Sequence, residues 1–325
     1  MQWLVTGGCG FIGGHLIERL CTDAGARVRV LDDLSVGTRS DLERVARVVD
    51  PGRAVPGDVE LVVGDVRDPE LVQQVSMDCD AIVHLAARTG VLPSIEDPRG
   101  DFAVNVLGTL NVLEAARLNR VARVILASSG APIGDQPAPF HEDMPVRPIS
   151  PYGASKACGE AYARAYAASF GLGTVALRFS NVYGPRSDRK GSVVARFVSQ
   201  ALAGETLHIY GDGSQTRDFL YVEDLCQAIV DAARANLRGE LLQIASGQET
   251  SLNALLGVLL PILRDQAGLD CQVVREDFRQ GEIRRNFARV DRAQRLLCWE
   301  ASTSLAQGLE RTVRWFVNRT QPSRT

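Results

Sequence analysis

The stretch WLVTGGCGFIGG, residues 3–14, decides the fold of this chain. It starts as a short apolar strand, and the glycines Gly7, Gly10 and Gly13 then lead into a helical pattern. Glycine lets a turn approach a pyrophosphate closely, and the first N–H groups of the next helix are free to bind it. The alternative is a tight strand-to-helix connection, because a glycine-rich turn alone is weak evidence. The GxxGxxG spacing directly after a first strand predicts a dinucleotide phosphate site.

The first half of the chain alternates short apolar runs with helical periodicity. Strands buried on both faces are predicted at residues 3–6, 27–31, 60–63, 81–86, 121–128 and 174–179, and helices at residues 12–21, 101–119 and 152–170. This alternation predicts an α/β fold with a Rossmann-like, doubly wound parallel sheet. The pattern loosens beyond Asn181, which predicts a smaller C-terminal lobe that binds the substrate in a cleft against the sheet.

Composition and charge exclude several classes of protein. The chain has 325 residues, of which 45% are hydrophobic and 23% charged, with a formal net charge of -3; these values are typical of a globular protein and predict no nucleic-acid partner. No stretch approaches the roughly 18 apolar residues that span a bilayer, so we expect a cytoplasmic protein with no membrane partner. Seven scattered cysteines without a CxxC pair indicate reduced thiols, and we predict no metal site.

Asp32 stands at the end of the second predicted strand, about 20 residues beyond the glycines. A carboxylate there can accept hydrogen bonds from both hydroxyls of an adenosine ribose, and it would repel a 2'-phosphate. No arginine follows within residues 33–37, so the sequence favours NAD over NADP. A turn aspartate is the alternative. Asp65 ends the third predicted strand and is a candidate contact for the adenine edge.

Tyr152 and Lys156 are four residues apart in a predicted helix, which places both side chains on one face. Tyrosine has a pKa near 10 and is a poor base at neutral pH unless a cation stabilises its phenolate. An exposed helix-surface pair is the alternative, but the chain contains only one other lysine, Lys190. The pair therefore predicts an acid/base site.

Ser128 and Ser129 end the fifth predicted strand, at the sheet edge where open parallel sheets bind their ligands. A hydroxyl there can bond the reacting oxygen, although serines at strand ends also serve as caps and turns. His84 lies inside a predicted strand, and we expect it to satisfy a buried hydrogen bond rather than to take part in catalysis.

Together, these motifs resemble the extended short-chain dehydrogenase/reductase family, in the group of NAD-dependent epimerases and dehydratases, and most of all its UDP-sugar 4-epimerases. The likeness rests on TGGCGFIG, HLAA, SPYGASK, LRFSNVYGPR, GDGSQTRDFLYVEDL and RQGE, which together span most of the chain. It implies NAD as cofactor, an NAD-binding domain over residues 1–180 to which residues 216–246 return, and a nucleotide-sugar-binding lobe over residues 181–215 and 247–325.

The resemblance also implies roles for particular residues. Tyr152 would be the acid/base, Lys156 would bind the nicotinamide ribose and lower the tyrosine pKa, and Ser129 would share the sugar hydroxyl. The implied cofactor site comprises Gly7, Gly10, Phe11, Ile12, Asp32, Asp33, Leu34, Ser35, Gly37, Asp65, Val66, Leu85, Ala86, Ala87, Asn105, Tyr152, Lys156 and Ser180. The implied substrate site comprises Ser129, Asn181, Val194, Tyr210, Arg217, Arg279 and Glu282. For both Arg217 and Arg279, a surface charge on a loop is the alternative.

The chain departs from the family pattern after the second serine. Ile133 replaces a tyrosine that usually shapes the sugar site, and Gly130 and Ala131 stand where dehydratases and decarboxylases carry an acid. Without that acid the expected reaction is 4-epimerisation through a 4-keto sugar; a dehydratase, decarboxylase or reductase is an enzymatic alternative, and a non-catalytic NAD-sensing regulator is another.

Fewer residues bear on which sugar is bound and on whether the chain forms an oligomer than on the reaction itself. UDP-glucose, UDP-N-acetylglucosamine and UDP-glucuronate are all candidate substrates. Asn286 replaces a bulkier tyrosine of some related 4-epimerases and would leave room for an N-acetyl group, while Arg186 could meet a uronate carboxylate. By analogy with the family, the chain would form a homodimer through the helices that contain Asp101 and Tyr152.

Overall fold

The structure is a computed structural model that describes residues 1–23, 26–55, 57–277 and 284–320. Its strands are β1 (Gln2–Thr6), β2 (Arg27–Asp32), β3 (Arg47–Val49), β4 (Asp58–Val63), β5 (Ala81–His84), β6 (Arg123–Ser129), β7 (Gly173–Phe179), β8 (Asn181–Tyr183), β9 (Leu207–Tyr210), β10 (Thr216–Arg217), β11 (Phe219–Tyr221), β12 (Glu240–Ile244), β13 (Thr250–Ser251) and β14 (Val273–Glu276). Its helices are α1 (Phe11–Thr22), α2 (Arg39–Glu43), α3 (Pro69–Val75), α4 (Val91–Glu96), α5 (Pro98–Phe102), α6 (Gly108–Leu118), α7 (Pro151–Phe170), α8 (Val193–Leu202), α9 (Val222–Arg234), α10 (Leu252–Ala267), α11 (Asp291–Leu297) and α12 (Leu305–Thr320).

Eight strands form one sheet in the order β12-β7-β6-β5-β1-β2-β4-β3, and all neighbouring pairs are parallel. The α/β fold with a doubly wound parallel sheet is therefore confirmed. From β1 the chain first builds the sheet toward β3 and then, from β5 onward, builds it in the other direction. The crevice at the carboxyl ends of β1 and β5 is the place where such sheets bind ligands.

Separate apolar cores cover the two faces of the sheet and a third lies beyond it. One face is buried against α1 and α9, the other against α3, α6 and α7. The third core joins α8, α10 and α12 through Phe197, Leu255, Leu259 and Val313. Residues 240–244 form an edge strand of the main sheet. The domain boundaries given above remain a prediction.

The observed elements differ from the predicted ones where side-chain or turn contacts override the local pattern. The strand predicted over residues 81–86 ends at His84, because the Ala86 amide turns to the Thr6 hydroxyl at 3.2 Å. The helix predicted over residues 101–119 is broken by a π-helical turn at Ala103–Leu107, and β3 is too short for any periodicity to show it.

Within the described ranges, no helix is long and apolar enough to cross a membrane. All seven cysteines are free thiols, in agreement with the prediction from the sequence.

Candidate active site

A cleft of about 1440 Å³ runs along the carboxyl edge of the sheet and reaches α12. It brings together most of the predicted residues, namely Gly7, Gly10, Phe11, Ile12, Asp32, Asp33, Ser35, Gly37, Asp65, Val66, Leu85, Ala86, Ala87, Ser129, Tyr152, Lys156, Ser180 and Asn181. Leu34, Asn105, Val194, Tyr210 and Arg217 are not among its lining residues. Arg279 and Glu282 lie outside the described residues.

The glycine-rich turn fits closely between β1 and the chain after β5. Gly7 has φ +71°, and a Cβ there would lie 2.7 Å from the Ala86 nitrogen. A Cβ on Gly13 would lie 2.5 Å from the Gly7 oxygen. Helix α1 starts after Gly10, and no side chain caps its first N–H groups. The turn therefore presents free backbone donors to the cleft, as a pyrophosphate requires.

Asp32 is buried at the end of β2 and already holds the turn in place. Its Oδ2 accepts a hydrogen bond from the Cys9 amide at 2.8 Å, and its Oδ1 accepts one from the Leu34 amide at 2.9 Å. Burial raises the pKa of Asp32, and these two bonds oppose the rise. Each carboxylate oxygen has a second lone pair, so both can still accept from ribose hydroxyls. Leu34 itself packs against the core below the cleft.

Asp65 pairs with Arg67, a residue to which the sequence assigned no role. Arg67 donates to Asp65 through Nε at 2.8 Å, and this bond lowers the pKa of the carboxyl group. The aspartate lines the cleft as an ionised, paired group, so any adenine contact must share it with Arg67.

Tyr152, Lys156 and Ser129 meet where β6 ends and α7 begins. The Ser150 hydroxyl caps α7 by accepting a hydrogen bond from the Gly153 amide at 3.1 Å, which fixes the first turn that carries Tyr152. Lys156 Nζ donates to the Ala127 carbonyl at 3.0 Å and lies 5.9 Å from the centre of the Tyr152 ring. Tyr152 also hydrogen-bonds Ser129.

Burial dominates the ionisation of this group. It raises the pKa of Tyr152, and the Ser129 hydrogen bond opposes the rise. The lowering of the Tyr152 pKa that the resemblance assigns to Lys156 stays a prediction. Burial also lowers the pKa of Lys156 to about 8, against the opposing influence of Asp101 and Glu160. Both groups therefore favour their neutral forms more than they would in water.

The two serines at the end of β6 have different partners. Ser128 Oγ donates to Glu160 Oε1 at 2.5 Å, and Arg178 holds the same carboxylate from β7 through Nε at 2.8 Å and Nη2 at 2.7 Å. Of the two serines, Ser129 therefore contacts Tyr152, and Ser128 contacts the Glu160 carboxylate on α7.

His84 is a structural residue, as expected. Its Nδ1 lies 2.7 Å from the Thr6 hydroxyl and its Nε2 lies 3.1 Å from the Thr109 hydroxyl. Burial lowers the pKa of His84 to about 3, so the ring is neutral and bonded on both sides.

Four residues that the resemblance assigned to ligands have other neighbours here. The Asn105 amide bonds the Arg88 backbone, at 2.9 Å through both its oxygen and its nitrogen. Val194 is buried in the core of α8, α10 and α12. Tyr210 lies 5.9 Å from the Arg196 guanidinium, and Arg217 Nη1 donates to the Thr216 carbonyl at 2.8 Å.

Several lining residues were not assigned from the sequence. Arg189 crosses the cleft mouth to bond the Val36 carbonyl at 2.9 Å and Asp41 at 2.6 Å. Lys190 Nζ donates to the Val182 carbonyl at 2.7 Å and lies 5.5 Å from the centre of the Phe11 ring. The rarity of lysine was a signal for Lys190, whereas nothing local in the sequence marks Arg189.

The position of the missing tyrosine is buried. Ile133 is fully enclosed in a small cluster with Phe140, Ala245 and Ala288. Phe140 and Ala288 from this cluster line the cleft, and Asn286 lines it beside them. Ile133 itself does not line the cleft, but it packs against Phe140, which does.

Comparison with known proteins gives a family match and relatives of the same length. Residues 3–245 match the model of the NAD dependent epimerase/dehydratase family. A UDP-glucose 4-epimerase of Mycolicibacterium smegmatis is 38% identical over 326 residues, covering 99% of this chain and 100% of the relative.

Two solved structures share the fold over nearly their full length. The UDP-N-acetylglucosamine 4-epimerase of Methanobrevibacter ruminantium, in complex with UDP-N-acetylmuramic acid, has a TM-score of 0.88 and 30% identity, covering 98% of this chain and 99% of that one. The UDP-glucose 4-epimerase of Thermus thermophilus, in complex with NAD, has a TM-score of 0.84 and 35% identity, covering 98% of this chain and 99% of that one.

Proposed function

The chain belongs to the NAD dependent epimerase/dehydratase family, and on that premise we propose that it is a UDP-hexose 4-epimerase that uses NAD. The observation that carries the proposal is the meeting of Ser129, Tyr152 and Lys156 in the same cleft as the glycine-rich turn and Asp32. One cleft can therefore hold a dinucleotide and a sugar side by side.

The shape of the nucleotide end supports NAD as the cofactor. The glycines at Gly7 and Gly13 leave no room for side chains, and α1 offers uncapped N–H groups to a diphosphate. Asp32 retains acceptor capacity for a ribose. Bound NAD would supply a reversible acceptor for the hydride at the sugar C4.

The reacting end supports simple proton transfer. Tyr152 Oη would take the proton of the C4 hydroxyl and later return it, while Ser129 Oγ bonds the same sugar oxygen. Lys156 would place a positive charge near the phenolate and stabilise it. The resulting 4-keto sugar can be reduced on either face, and reduction on the face opposite to the original one inverts C4.

The acids around the cleft favour epimerisation over dehydration, although relatives of the chain include dTDP-glucose 4,6-dehydratases. Neither Gly130 nor Ala131 next to Ser129 can act as an acid. Within the described ranges, the carboxylates lining the cleft are Asp32, Asp33, Asp41, Asp65 and Asp188. The first four flank the nucleotide end, and Asp188 pairs with Arg319 at 2.6 Å.

The sugar we favour is a neutral hexose, glucose or N-acetylglucosamine. Arg186, the candidate partner of a uronate carboxylate, has its Nη2 paired with Glu18 on α1, which offsets the positive charge that a uronate would need; its Nη1 has no hydrogen-bond partner within the described residues. Phe140 and Asn286 line the cleft as uncharged groups. UDP-glucuronate should therefore be the poorest of the three candidate substrates.

We place the substrate diphosphate at the start of α8. The Ser192 hydroxyl has no hydrogen-bond partner within the described part of the chain, and it precedes α8 without capping its N–H groups. Lys190 and Asn181 line the same cleft. These donors suit a diphosphate better than Arg217, which is not among the lining residues.

A homodimer is part of the proposal. Phe102 on α5 and Tyr162 on α7 are exposed by 53% and 40%, Leu107 between α5 and α6 by 43%, and α5 packs against α7. An exposed apolar surface on these helices suits contact with a second copy of the chain.

The test is to incubate UDP-glucose, UDP-N-acetylglucosamine and UDP-glucuronate separately with the purified chain and NAD in deuterated water, and to identify products by NMR. Epimerisation yields the galacto product with no deuterium at C5 and no net NADH. A 6-deoxy-4-keto product, deuterium in the sugar, a pentose or net NADH would overturn the proposal. The Tyr152→Phe variant is the control for activity from contaminating enzymes.

A further inference from the structure

Glu160 is a buried carboxylate that the proposed reaction does not use. Its side chain is 8% exposed, and it pairs with Arg178, whose side chain is fully buried. A third bond comes from Ser128 at 2.5 Å. Buried ion pairs contribute little net stability, because desolvation of the charges offsets their attraction. Stability alone is therefore a weak explanation for this pair.

The position of Glu160 links it to Lys156. The two residues lie one turn apart on α7, and both line a small cavity of about 10 Å³ behind the main cleft. They are anchored to consecutive residues of β6: the Ala127 carbonyl accepts from Lys156 at 3.0 Å, and the Ser128 hydroxyl donates to Glu160. The contact that fixes Glu160 thus also sets how α7 presents its lysine to the strand.

The charges around Lys156 give Glu160 a second effect. Burial lowers the pKa of Lys156, whereas Asp101 from α5 and Glu160 from α7 raise it. His84 on β5 is neutral and Tyr152 is protonated, since burial shifts both pKa values in that direction. The two carboxylates are therefore the groups that favour the ammonium form.

We propose that Glu160, held by Arg178 and Ser128, is a positioning residue that keeps Lys156 charged and directed toward Tyr152. Its importance for catalysis rests on the proposed function, in which the lysine charge stabilises the phenolate. The electrostatic coupling itself does not depend on that function and can be measured without turnover.

The chain offers an unusually direct measurement, because Lys156 and Lys190 are its only lysines. The full chain is prepared with ¹³C at lysine Cε, so that its NMR spectrum contains two lysine signals. In the Lys190→Arg variant Lys156 is the only lysine left, so the single remaining lysine signal is that of Lys156. Each signal is then followed from pH 6 to pH 11, with and without NAD, in the parent chain and in Glu160→Gln.

In Glu160→Gln the midpoint of the Lys156 titration should fall by about one pH unit, while the Lys190 midpoint stays in place as an internal control. Since Glu160→Gln leaves Arg178 buried without its ion-pair partner, it can fail to fold. The double variant Glu160→Gln/Arg178→Met removes both charges and should show a smaller fall in the same direction.

A purely structural role for Glu160 would lower the melting temperature and leave the Lys156 midpoint unchanged. An unchanged midpoint in the folded single variant, or in the double variant if only that one folds, would overturn the proposal. The titration requires no substrate, so its result would stand even if the chain were shown not to be an epimerase.

Discussion

The amine of Lys156 lies 5.9 Å from the centre of the Tyr152 ring and donates to the Ala127 carbonyl. The lysine is thus fixed by the sheet rather than by the tyrosine. Tyr152 hydrogen-bonds Ser129, which is adjacent in β6 to the serine that binds Glu160. Because the two side chains have separate anchors, Tyr152 can be substituted without displacing the Lys156 amine.

Tyr152→Phe should retain NAD affinity within about twofold and reduce kcat by roughly 10²- to 10⁴-fold, because only the proton-carrying hydroxyl is removed. Isothermal titration measures the first quantity and NMR product analysis the second. A kcat close to that of the parent would place the acid/base group elsewhere.

Lys156→Met should weaken both NAD binding and turnover, because it deletes the cation as well as its bond to Ala127. The variant should nevertheless unfold at a denaturant concentration no lower than the parent at pH 7, since burying this ammonium opposes folding. Urea titration of both chains checks the stability. Normal kcat in a folded Lys156→Met variant would contradict the role of the lysine.

Asp32→Ala should narrow the preference for NAD over NADP by roughly 10- to 100-fold, the effect of losing hydrogen bonds to a charged carboxylate. Arg44 lines the same end of the cleft, and its guanidinium could bind a 2'-phosphate once the Asp32 carboxylate is removed. Glu43→Ala removes an exposed acid paired with Arg39 and is the matched control. Equal affinities of the parent chain for NAD and NADP would contradict the role of Asp32 in cofactor preference.

Stability should fall as the pH drops from about 6.5 toward 4. Burial lowers the pKa of His15 to about 4 and that of His84 to about 3, so in this window the unfolded chain binds protons that the folded chain excludes. As the pH falls through this window, each histidine lowers the free energy of unfolding by up to about 1.4 kcal/mol per pH unit. Urea unfolding at pH 7, 5.5 and 4.5 should show a shallower dependence in His84→Asn than in the parent; identical slopes would exclude the histidine as a source.

Phe102→Asp should shift the chain from dimer to monomer in sedimentation velocity, because it places a charge on the exposed apolar surface of α5. Val274→Asp makes the same change on the exposed strand β14 and should leave the distribution unchanged. A parent chain that sediments as a monomer at micromolar concentration would refute the homodimer.

The sequence predicted the sheet and the Tyr152–Lys156 pair because both depend on local spacing. Alternation of apolar runs reports buried strands, and a separation of four residues reports one helix face. The same reasoning found Asp32, whose place at a strand end is visible in the chain.

What the sequence could not supply depends on contacts between distant segments. Arg189 reaches Asp41 across 148 positions, and the Phe140 amide donates to the Phe287 carbonyl from far along the chain. The partner of Arg186 is likewise set by packing, because only the folded chain brings Glu18 beside it. The burial of Tyr152, which raises its pKa, is also a product of packing and cannot be read from helix spacing.

The scarcity of lysine gives this protein a practical chemical handle. Both lysines line the cleft, and burial lowers the pKa of each to about 8. At that pH about half of each amine is the free base, whereas an ordinary exposed lysine, with a pKa near 10.4, would be almost entirely protonated. An acylating reagent such as a succinimidyl ester therefore meets no lysine on the outer surface, so that, apart from the amino terminus, its labels mark the cleft. A nucleotide bound in the cleft should protect these lysines from the reagent. The decrease in labelling would then measure the fraction of clefts that are occupied.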